Sequence, residues 1–160
     1  MKEKDKALQG ADAIRILFVC HGNICRSPMA EFVFKAMVGL AGRQDDFHIE
    51  SAATSDDETG NPVYPPVRRL LEKHGLDCTK KRARRLVRQD YDRFDFIIGM
   101  DSENMAEMLR LFGGDPKGKV SRLMEFDGQI RDIADPWYTR DFDTTWEDVN
   151  RGCAGLLSGF

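Results

Sequence analysis

The sequence predicts a single α/β domain with a central four-stranded parallel sheet and helices on both faces. Short runs rich in β-branched and aromatic residues alternate with segments whose apolar residues recur every three or four positions. This alternation is typical of parallel strands joined by crossover helices. The length of 160 residues fits one such domain with a sizeable core. Because parallel sheets bind ligands at the carboxyl ends of their strands, functional residues are expected there.

The first strand is predicted at residues 14–19, a run with almost no polar interruption. Such a run indicates a strand that is buried on both faces and lies in the middle of the sheet. A helix follows, with Ser27 as its N-cap and Pro28 at its first position. The apolar residues predicted to face the core are Met29, Phe32, Val33, Ala36, Met37 and Leu40.

Three further strands complete the predicted sheet, at residues 47–52, 94–100 and 120–124. A second helix is predicted from Pro65 or Pro66 to just before Gly75. A third begins at Asp101 and Ser102. The residues predicted to form its buried face are Met105, Met108, Leu109 and Phe112.

The last helix is predicted from a capping-box pattern, in which Glu147 follows Thr144 by three residues. The residues predicted on its buried face are Trp146, Val149, Cys153, Leu156 and Phe160. At the other end of the chain, residues 1–13 are polar and are predicted to form a mobile tail. Residues 14–160 are then the domain.

Charge and composition exclude several classes of protein. The formal net charge of −3 gives no global positive field, so the chain is not expected to bind nucleic acid. No apolar run has membrane-spanning length and no secretory pattern is present, so we expect a cytoplasmic protein without membrane insertion. The four cysteines are expected to be reduced, and their spacing predicts no metal site.

Residues 19–28, V-C-H-G-N-I-C-R-S-P, join the first strand to the first helix. The first amides of a helix lack intrahelical partners and favour an anion, and Gly22 allows the backbone to curl around it. Arg26 adds a planar fork of donors that matches two phosphate oxygens. Cys20 is predicted to lie at the same point, where the positive field stabilises a thiolate. The cysteine loop, residues 20–27, is therefore predicted to hold a phosphate beside a nucleophile.

The run C-H-G-N-I-C-R-S-P-M-A-E resembles the signature of the low-molecular-weight protein tyrosine phosphatases, and the resemblance extends from Ile14 to about Phe160. It implies a hydrolase in which Cys20 forms a phosphocysteine and Arg26 holds the phosphate, with no cofactor. The cysteine loop is then the phosphatase loop at the carboxyl end of the first strand. The compact chain fits a bacterial member. The loop residues expected to contact substrate are His21, Gly22, Asn23, Ile24, Cys25 and Ser27.

A thiolate nucleophile requires an acid that gives a proton to the leaving oxygen. Residues 134–138, A-D-P-W-Y, resemble the acid loop of the same family, and we refer to them as the Asp135 loop. The resemblance implies that Asp135 is the acid and that Trp137 and Tyr138 wall the cleft. It also implies that Ser27 stabilises the thiolate and that Asn23 fixes the backbone of the loop.

Cys25 allows two interpretations. It fills space within the loop, or it forms a reversible disulfide with Cys20 under oxidation, as in the resembling family. The basic run at residues 80–85 also allows two: a solvated surface, or, as the resemblance implies for part of residues 81–85, a turn that braces the edge of the sheet. Residues 54–66 are predicted to form a loop beside the cleft. Where the family often has an aromatic wall, this loop reads S-D-D-E at residues 55–58.

Three other functions are compatible with the same loop. Thioredoxin-coupled arsenate reductases need a cysteine just after the third strand, where this chain has Met100. Protein-arginine phosphatases share the fold, the nucleophile and the acid, but a threonine commonly stands where this chain has Ile24. A non-catalytic phosphotyrosine-binding module would not need Asp135. The sequence therefore favours a phosphatase that acts on a phosphotyrosine protein or peptide and releases inorganic phosphate.

Overall fold

The structure, a computed structural model, describes residues 13–160. Four parallel strands form one sheet in the order β2-β1-β3-β4. The strands are β1 (Ile14–Cys20), β2 (Phe47–Ala53), β3 (Phe96–Gly99) and β4 (Val120–Arg122). The predicted fold class is confirmed, with β1 in the interior of the sheet. The mobile tail predicted for residues 1–13 lies, apart from residue 13, outside the described residues.

Six helices accompany the sheet within residues 13–160. They are α1 (Arg26–Leu40), α2 (Pro65–Lys73), α3 (Asp90–Arg93), α4 (Ser102–Phe112), α5 (Pro136–Thr139) and α6 (Phe142–Ser158). Two short 3-10 turns lie at Gln44–Asp46 and Leu123–Asp127. The predicted bounds of α2 and the predicted start of α4 are confirmed. No helix in this part of the chain is long and apolar enough to cross a membrane.

The alternating side chains of β1 build two cores. Ile16 and Phe18 pack in one cluster with apolar residues of α1 and α6, whereas Leu17 and Val19 pack in a second with Met108 of α4. All four strand residues are fully buried, so the strand is apolar throughout because both of its faces are covered. Cys20 shares the face of Ile16 and Phe18. The nucleophile predicted from the sequence therefore lies on the side of the sheet that α1 covers.

The predicted start of the first helix is wrong by two residues. The helix begins at Arg26, and Cys25 occupies the cap position without a side-chain hydrogen bond. Ser27 does not act as an N-cap because its hydroxyl is engaged by Cys20 and Asn23. The other end also differs, since Leu40 is 92% exposed in the last turn of α1.

Two further helix predictions are corrected. The last helix begins at Phe142, and its N-cap is Asp141 instead of Thr144. The Asp141 carboxylate accepts from the backbone N–H of Thr144 at 3.0 Å and from its hydroxyl at 2.6 Å, so the acid is a better cap than the threonine. In α4, Leu109 is 37% exposed. Asn104 is buried instead, where its side chain accepts from the N–H of Met100.

Two predicted strands are shorter than expected. The third begins at Phe96 because the N–H of Phe94, the residue after α3, donates to the carbonyl of Asp90. The fourth ends at Arg122, whose N–H donates to the Glu125 side chain as the chain enters a 3-10 turn. Local side-chain and helix-end hydrogen bonds thus compete with the sheet ladder at these positions.

The basic run braces the edge of β2, and the interpretation as a solvated surface is wrong for two of its members. Lys81 Nζ donates to the carbonyl of Ser51 at 2.9 Å, and the backbone N–H of Ala53 donates to the carbonyl of Arg84 at 2.8 Å. The Arg84 guanidinium also bonds the buried carboxylate of Asp90. Burial lowers the pKa of Lys81, and the nearby Glu31 partly offsets that effect.

Candidate active site

A pocket of about 190 Å³ opens at the carboxyl edge of the sheet. Nine of the eleven predicted site residues line it, including Cys20, Arg26 and Asp135. The two that do not are Asn23 and Ser27, which are buried behind the loop backbone. Residues separated by more than 100 positions thus meet in one cavity, as expected for the carboxyl ends of parallel strands.

The sulfur of Cys20 lies in a cradle of hydrogen-bond donors. The backbone N–H groups of Asn23 and Ser27 donate to Sγ at 3.3 and 3.4 Å. The Ser27 hydroxyl oxygen lies 3.0 Å from the same sulfur. Three hydrogen-bonding groups thus converge on one sulfur atom. The cysteine loop therefore has the architecture of an anion site with a nucleophile at its base.

Asn23 fixes this cradle from behind. Its backbone is left-handed, with φ of 59°, a conformation that asparagine tolerates better than most residues. Its side-chain Nδ2 donates to Ser27 Oγ at 2.8 Å and to Ser51 Oγ at 2.9 Å, and its Oδ1 accepts from the N–H of Arg84 at 3.1 Å. Ser51 in turn donates to the buried carboxylate of Glu31 at 2.5 Å. Hydrogen bonds therefore connect the cysteine loop to α1, to β2 and to the basic run at residues 80–85.

Arg26, at the first position of α1, is almost fully buried and borders the pocket. Its Nη1 donates to the Asp101 carboxylate at 2.7 Å and to the carbonyl of Ile133 at 2.8 Å. Burial disfavours its charge, but the charges of Cys20 and Asp101 outweigh burial and raise the pKa of Arg26. The guanidinium is therefore held as a fixed cation beside the sulfur.

Asp135 caps α5 and faces Arg26 across the pocket. Its Oδ1 accepts from the N–H of Trp137 at 3.0 Å, and its Oδ2 lies 3.5 Å from Nη2 of Arg26. The carboxyl group is thereby oriented by its own loop, with one oxygen beside the Arg26 guanidinium in the pocket that contains Cys20.

Aromatic rings anchor the Asp135 loop to the start of α2. The rings of Trp137 and Tyr64 lie 4.9 Å apart between centroids. Arg140 donates to the Tyr64 hydroxyl at 3.0 Å, and its guanidinium also lies over the Tyr64 ring. Trp137 and Tyr138 line the pocket from this side, so they are placed where a substrate ring would enter.

The comparisons with known proteins agree with this geometry. A family model described as low molecular weight phosphotyrosine protein phosphatase matches residues 15–159. The chain belongs to this family. The resemblance stated from the cysteine loop is confirmed, and the match covers nearly the whole chain.

Relatives of this phosphatase cover almost its full length. YfkJ of Bacillus subtilis, named a low molecular weight protein-tyrosine-phosphatase, is 35% identical over 147 residues, which are 91% of this chain and 94% of YfkJ. The crystal structure of YfkJ has a TM-score of 0.88 at 34% identity, covering 92% of this chain and 94% of that one. A low molecular weight protein tyrosine phosphatase of Streptococcus pyogenes has a TM-score of 0.81 at 40% identity, covering 92% and 93%.

The same fold occurs in a protein named for a different substrate. The structure of a drosophila arginine phosphatase has a TM-score of 0.83 at 30% identity, covering 91% of this chain and 97% of that one. Likeness of fold therefore does not by itself choose between phosphotyrosine and phosphoarginine. The choice depends on the residues that line the pocket.

A second wall of this phosphatase pocket is acidic. Asp57 and Glu58 line the same cavity as Trp137 and Tyr138, and we refer to residues 55–58 as the carboxylate wall. Asp57 Oδ2 lies 2.7 Å from Nε2 of His21, the residue after the nucleophile. The departure from an aromatic wall that the sequence indicated is thus located in the pocket itself.

Cys25 lines the pocket but differs from Cys20 in its surroundings. Burial raises the pKa of the Cys25 thiol, and the charge of Cys20 adds to that effect. Cys25 is therefore held as a neutral thiol. Cys25 and Cys20 are both free thiols in the structure, so both interpretations of Cys25 stay predictions.

Sequence reasoning missed the groups that hold Arg26. Asp101 was expected only as the start of a helix, yet its Oδ1 caps α4 through the N–H of Asn104 while its Oδ2 binds Arg26. A signal was present, because Asp101 follows the end of β3, the neighbour of β1 in the sheet. The link from Ser51 to Glu31 had no comparable signal in the sequence.

Proposed function

We propose that this chain hydrolyses phosphotyrosine in proteins or peptides through a phosphocysteine intermediate. The observation that carries the proposal is the single pocket that contains the Cys20 sulfur, the Arg26 guanidinium and the Asp135 carboxyl group. These are a nucleophile, a cation for the phosphoryl oxygens and a proton donor, and together they suffice for the transfer of a phosphoryl group.

In the first step Cys20 Sγ attacks phosphorus, and the bond from phosphorus to the tyrosine oxygen breaks. Asp135 gives its proton to the departing oxygen, so that tyrosine leaves as a neutral phenol. Arg26 and the loop amides stabilise the equatorial oxygens. The products are a phosphocysteine and a dephosphorylated chain.

In the second step water attacks the phosphocysteine, and Asp135, now ionised, accepts the proton of that water. The sulfur–phosphorus bond breaks, inorganic phosphate leaves, and the thiolate returns to its cradle. The Ser27 hydroxyl, 3.0 Å from Sγ, is well placed to stabilise the thiolate as it departs. The side chains named here and one water supply every group in the cycle.

The lining of the pocket supports an aryl substrate. Ile24 contributes an apolar surface beside the nucleophile, and Trp137 and Tyr138 contribute aromatic surface at the entrance. A phenyl ring buries apolar area against such groups, whereas a phosphoserine side chain is too short to reach them. The structure of a drosophila arginine phosphatase at 30% identity keeps phosphoarginine as the second substrate to test.

The test follows phosphate release from phosphotyrosine, phosphoarginine and phosphoserine peptides of one sequence. We expect turnover of the phosphotyrosine peptide by the wild type and none by Cys20→Ser, since a hydroxyl in the same position is a far weaker nucleophile. Cys78→Ser is the matched control, because this buried cysteine lies outside the pocket. Equal turnover by the wild type and Cys20→Ser would refute the mechanism.

Preferential turnover of phosphoarginine would instead assign the substrate of the arginine phosphatases. The cytoplasmic location and bacterial source expected from the sequence stay predictions, and so does a phosphotyrosine-containing protein or peptide as the substrate.

A further inference from the structure

The carboxylate wall exposes its charge at the entrance of the pocket. The side chain of Asp57 is 68% exposed, and that of Glu58 is half-buried. The Glu58 carboxylate accepts from Asn61 Nδ2 at 2.6 Å. This hydrogen bond orients the carboxylate but leaves its charge in place. Two negative charges therefore stand beside the path that a phosphorylated residue takes to Cys20.

The wall is attached to the cysteine loop, so its charges cannot move far from the pocket. The N–H and the hydroxyl of Ser55 both donate to the carbonyl of His21, at 3.1 and 2.9 Å. The Ser55 hydroxyl also accepts from the N–H of Asp57 at 3.3 Å. A Cβ at Gly22 would lie 3.3 Å from Cγ of Glu58, so the two segments are in close contact.

The carboxylates of the pocket oppose the approach of a phosphate to the cysteine loop. Among the residues that line the pocket, Arg26 is the one fixed cation, whereas Asp57, Glu58 and Asp135 carry carboxyl groups. Arg26 is already paired with Asp101. A phosphotyrosine carries about two negative charges near neutral pH, so positive charge elsewhere in the substrate would offset its repulsion by these carboxylates.

The surroundings are also suited to a cationic side chain. Tyr138 is 79% exposed and Trp137 is 45% exposed, and both line the same pocket as Asp57. A lysine or arginine can bind a carboxylate and also lie over an aromatic face, so the two walls offer complementary contacts. Arg85 of the basic run is engaged by Asp56, and neither residue lines the pocket.

We propose that the carboxylate wall selects phosphotyrosine substrates in which lysine or arginine flanks the phosphorylated residue, with Asp57 and Glu58 as the determinants. The inference rests on the proposed function, because it assigns the substrate class of the same pocket.

The test uses three phosphotyrosine peptides that are identical except for the residue on each side of the phosphotyrosine, which is arginine, glutamine or glutamate. We expect kcat/KM for the arginine peptide to exceed that for the glutamate peptide by about three- to tenfold at low ionic strength, the range that two exposed ion pairs provide. The ratio should fall as salt screens the charges.

The double variant Asp57→Asn with Glu58→Gln should bring the two peptides to nearly equal kcat/KM. Asp45→Asn is the matched control, because it removes one negative charge from an exposed residue just before β2, at the opposite edge of the sheet. This control should keep the full ratio. Equal kcat/KM for the arginine and glutamate peptides with the wild type, or a preference that survives the double variant, would overturn the inference.

Binding separates this inference from the proposed reaction. Affinities of the same peptides for Cys20→Ser, measured by calorimetry, should show the same order in the absence of turnover. A preference for the arginine peptide in binding without hydrolysis by the wild type would sustain the selectivity and reject the reaction. Hydrolysis by the wild type without any preference in rate or binding would support the proposed reaction and reject the selectivity.

Discussion

The cysteine loop and the carboxylate wall touch at the carbonyl of His21, but they are held in different ways. The polar side chains that hold the cysteine loop from behind are buried: Asn23 is 1% exposed, and its side chain makes three hydrogen bonds to buried or half-buried partners. The charged side chain of Asp57 in the carboxylate wall is exposed. It pairs with His21, which is the side-chain contact between the wall and the cysteine loop. Buried hydrogen bonds fix one geometry, whereas exposed ion pairs contribute little to stability.

The difference separates chemistry from selectivity. Attack at phosphorus requires atoms held to within a fraction of an ångström, which the buried network of the cysteine loop can provide. Recognition of a flanking charge tolerates more movement, since electrostatic attraction falls slowly with distance. Substitutions in the loop should therefore affect rate and stability together, and substitutions in the wall should affect the choice of peptide.

The largest effect within this comparison is expected at Asp135. Asp135→Asn keeps the shape of the side chain and its hydrogen bond from Trp137 but removes the proton donor. We expect kcat for a phenyl phosphate to fall about a hundredfold or more, because protonation of a poor leaving group is lost. A phosphate ester with a good leaving group should lose far less. The measurement is kcat across a series of aryl phosphates of increasing phenol pKa.

Asp132→Asn is the control for that series, since this exposed acid lies three residues away and binds Ser102 and Arg122 instead of the pocket. A uniform loss across all leaving groups in Asp135→Asn would contradict the acid role.

A smaller but still large effect is expected at Asn23. Asn23→Ala removes three hydrogen bonds and places alanine in a left-handed conformation. We expect the free energy of unfolding to fall by about 2–4 kcal/mol. The rate of phosphate release should fall with it, because the cradle around Cys20 loosens. Urea denaturation and kcat measure the two effects.

Asn23→Gly separates the two causes, because glycine accepts the left-handed backbone but makes no side-chain hydrogen bond. If the glycine variant matches the wild type, the side-chain network is not what holds the loop. Asn61→Ala, in the exposed segment beside the carboxylate wall, should have little effect on stability.

The sequence predicted the reacting residues of the site better than the residues that hold them in place. Cys20, Arg26 and Asp135 were identified because each residue type at its spacing has a chemical reason that is independent of packing. The N-caps at Ser27 and Thr144 were wrong for a common reason: a competing partner, visible only in three dimensions, uses the same groups. Ser27 bonds Cys20 and Asn23, and Asp141 reaches the N–H of Thr144 first.

Ion pairs that depend on tertiary packing could not be predicted from sequence patterns either. The ion pair of Arg26 and Asp101 joins residues 75 positions apart. The ion pair of Arg84 and Asp90 depends on how the basic run packs against α3. The acidic character of residues 55–58 was visible in the sequence. The meeting of Asp57 and Glu58 with two aromatic residues in one pocket was not visible, because it depends on how two long loops meet.

Cys25 tests whether the cysteine loop has a second chemistry. Peroxide converts the Cys20 thiolate to a sulfenic acid, which can condense with the Cys25 thiol to a disulfide and release water. Since burial raises the pKa of Cys25, the reactive thiolate of Cys25 becomes more abundant as pH rises, and protection should increase between mildly acidic and mildly alkaline pH. The measurement is activity recovered by thiol after peroxide, which should be lower for Cys25→Ser. Full recovery of that variant would exclude a protective role.

The smallest effect on stability is expected in the carboxylate wall. Asp57→Asn removes the pair with His21, whose two side chains are both more than half exposed. We expect the free energy of unfolding to change by less than about 1 kcal/mol, because water and salt already screen such a pair. Urea denaturation of Asp57→Asn and His21→Ala, alone and together, measures the coupling between them.

A coupling as large as the loss expected for Asn23→Ala would show that the wall supports the cysteine loop directly, and selectivity could then not be altered without altering the rate. A coupling within the error of the measurement would leave the wall free to vary its charge, and with it the peptides that reach Cys20.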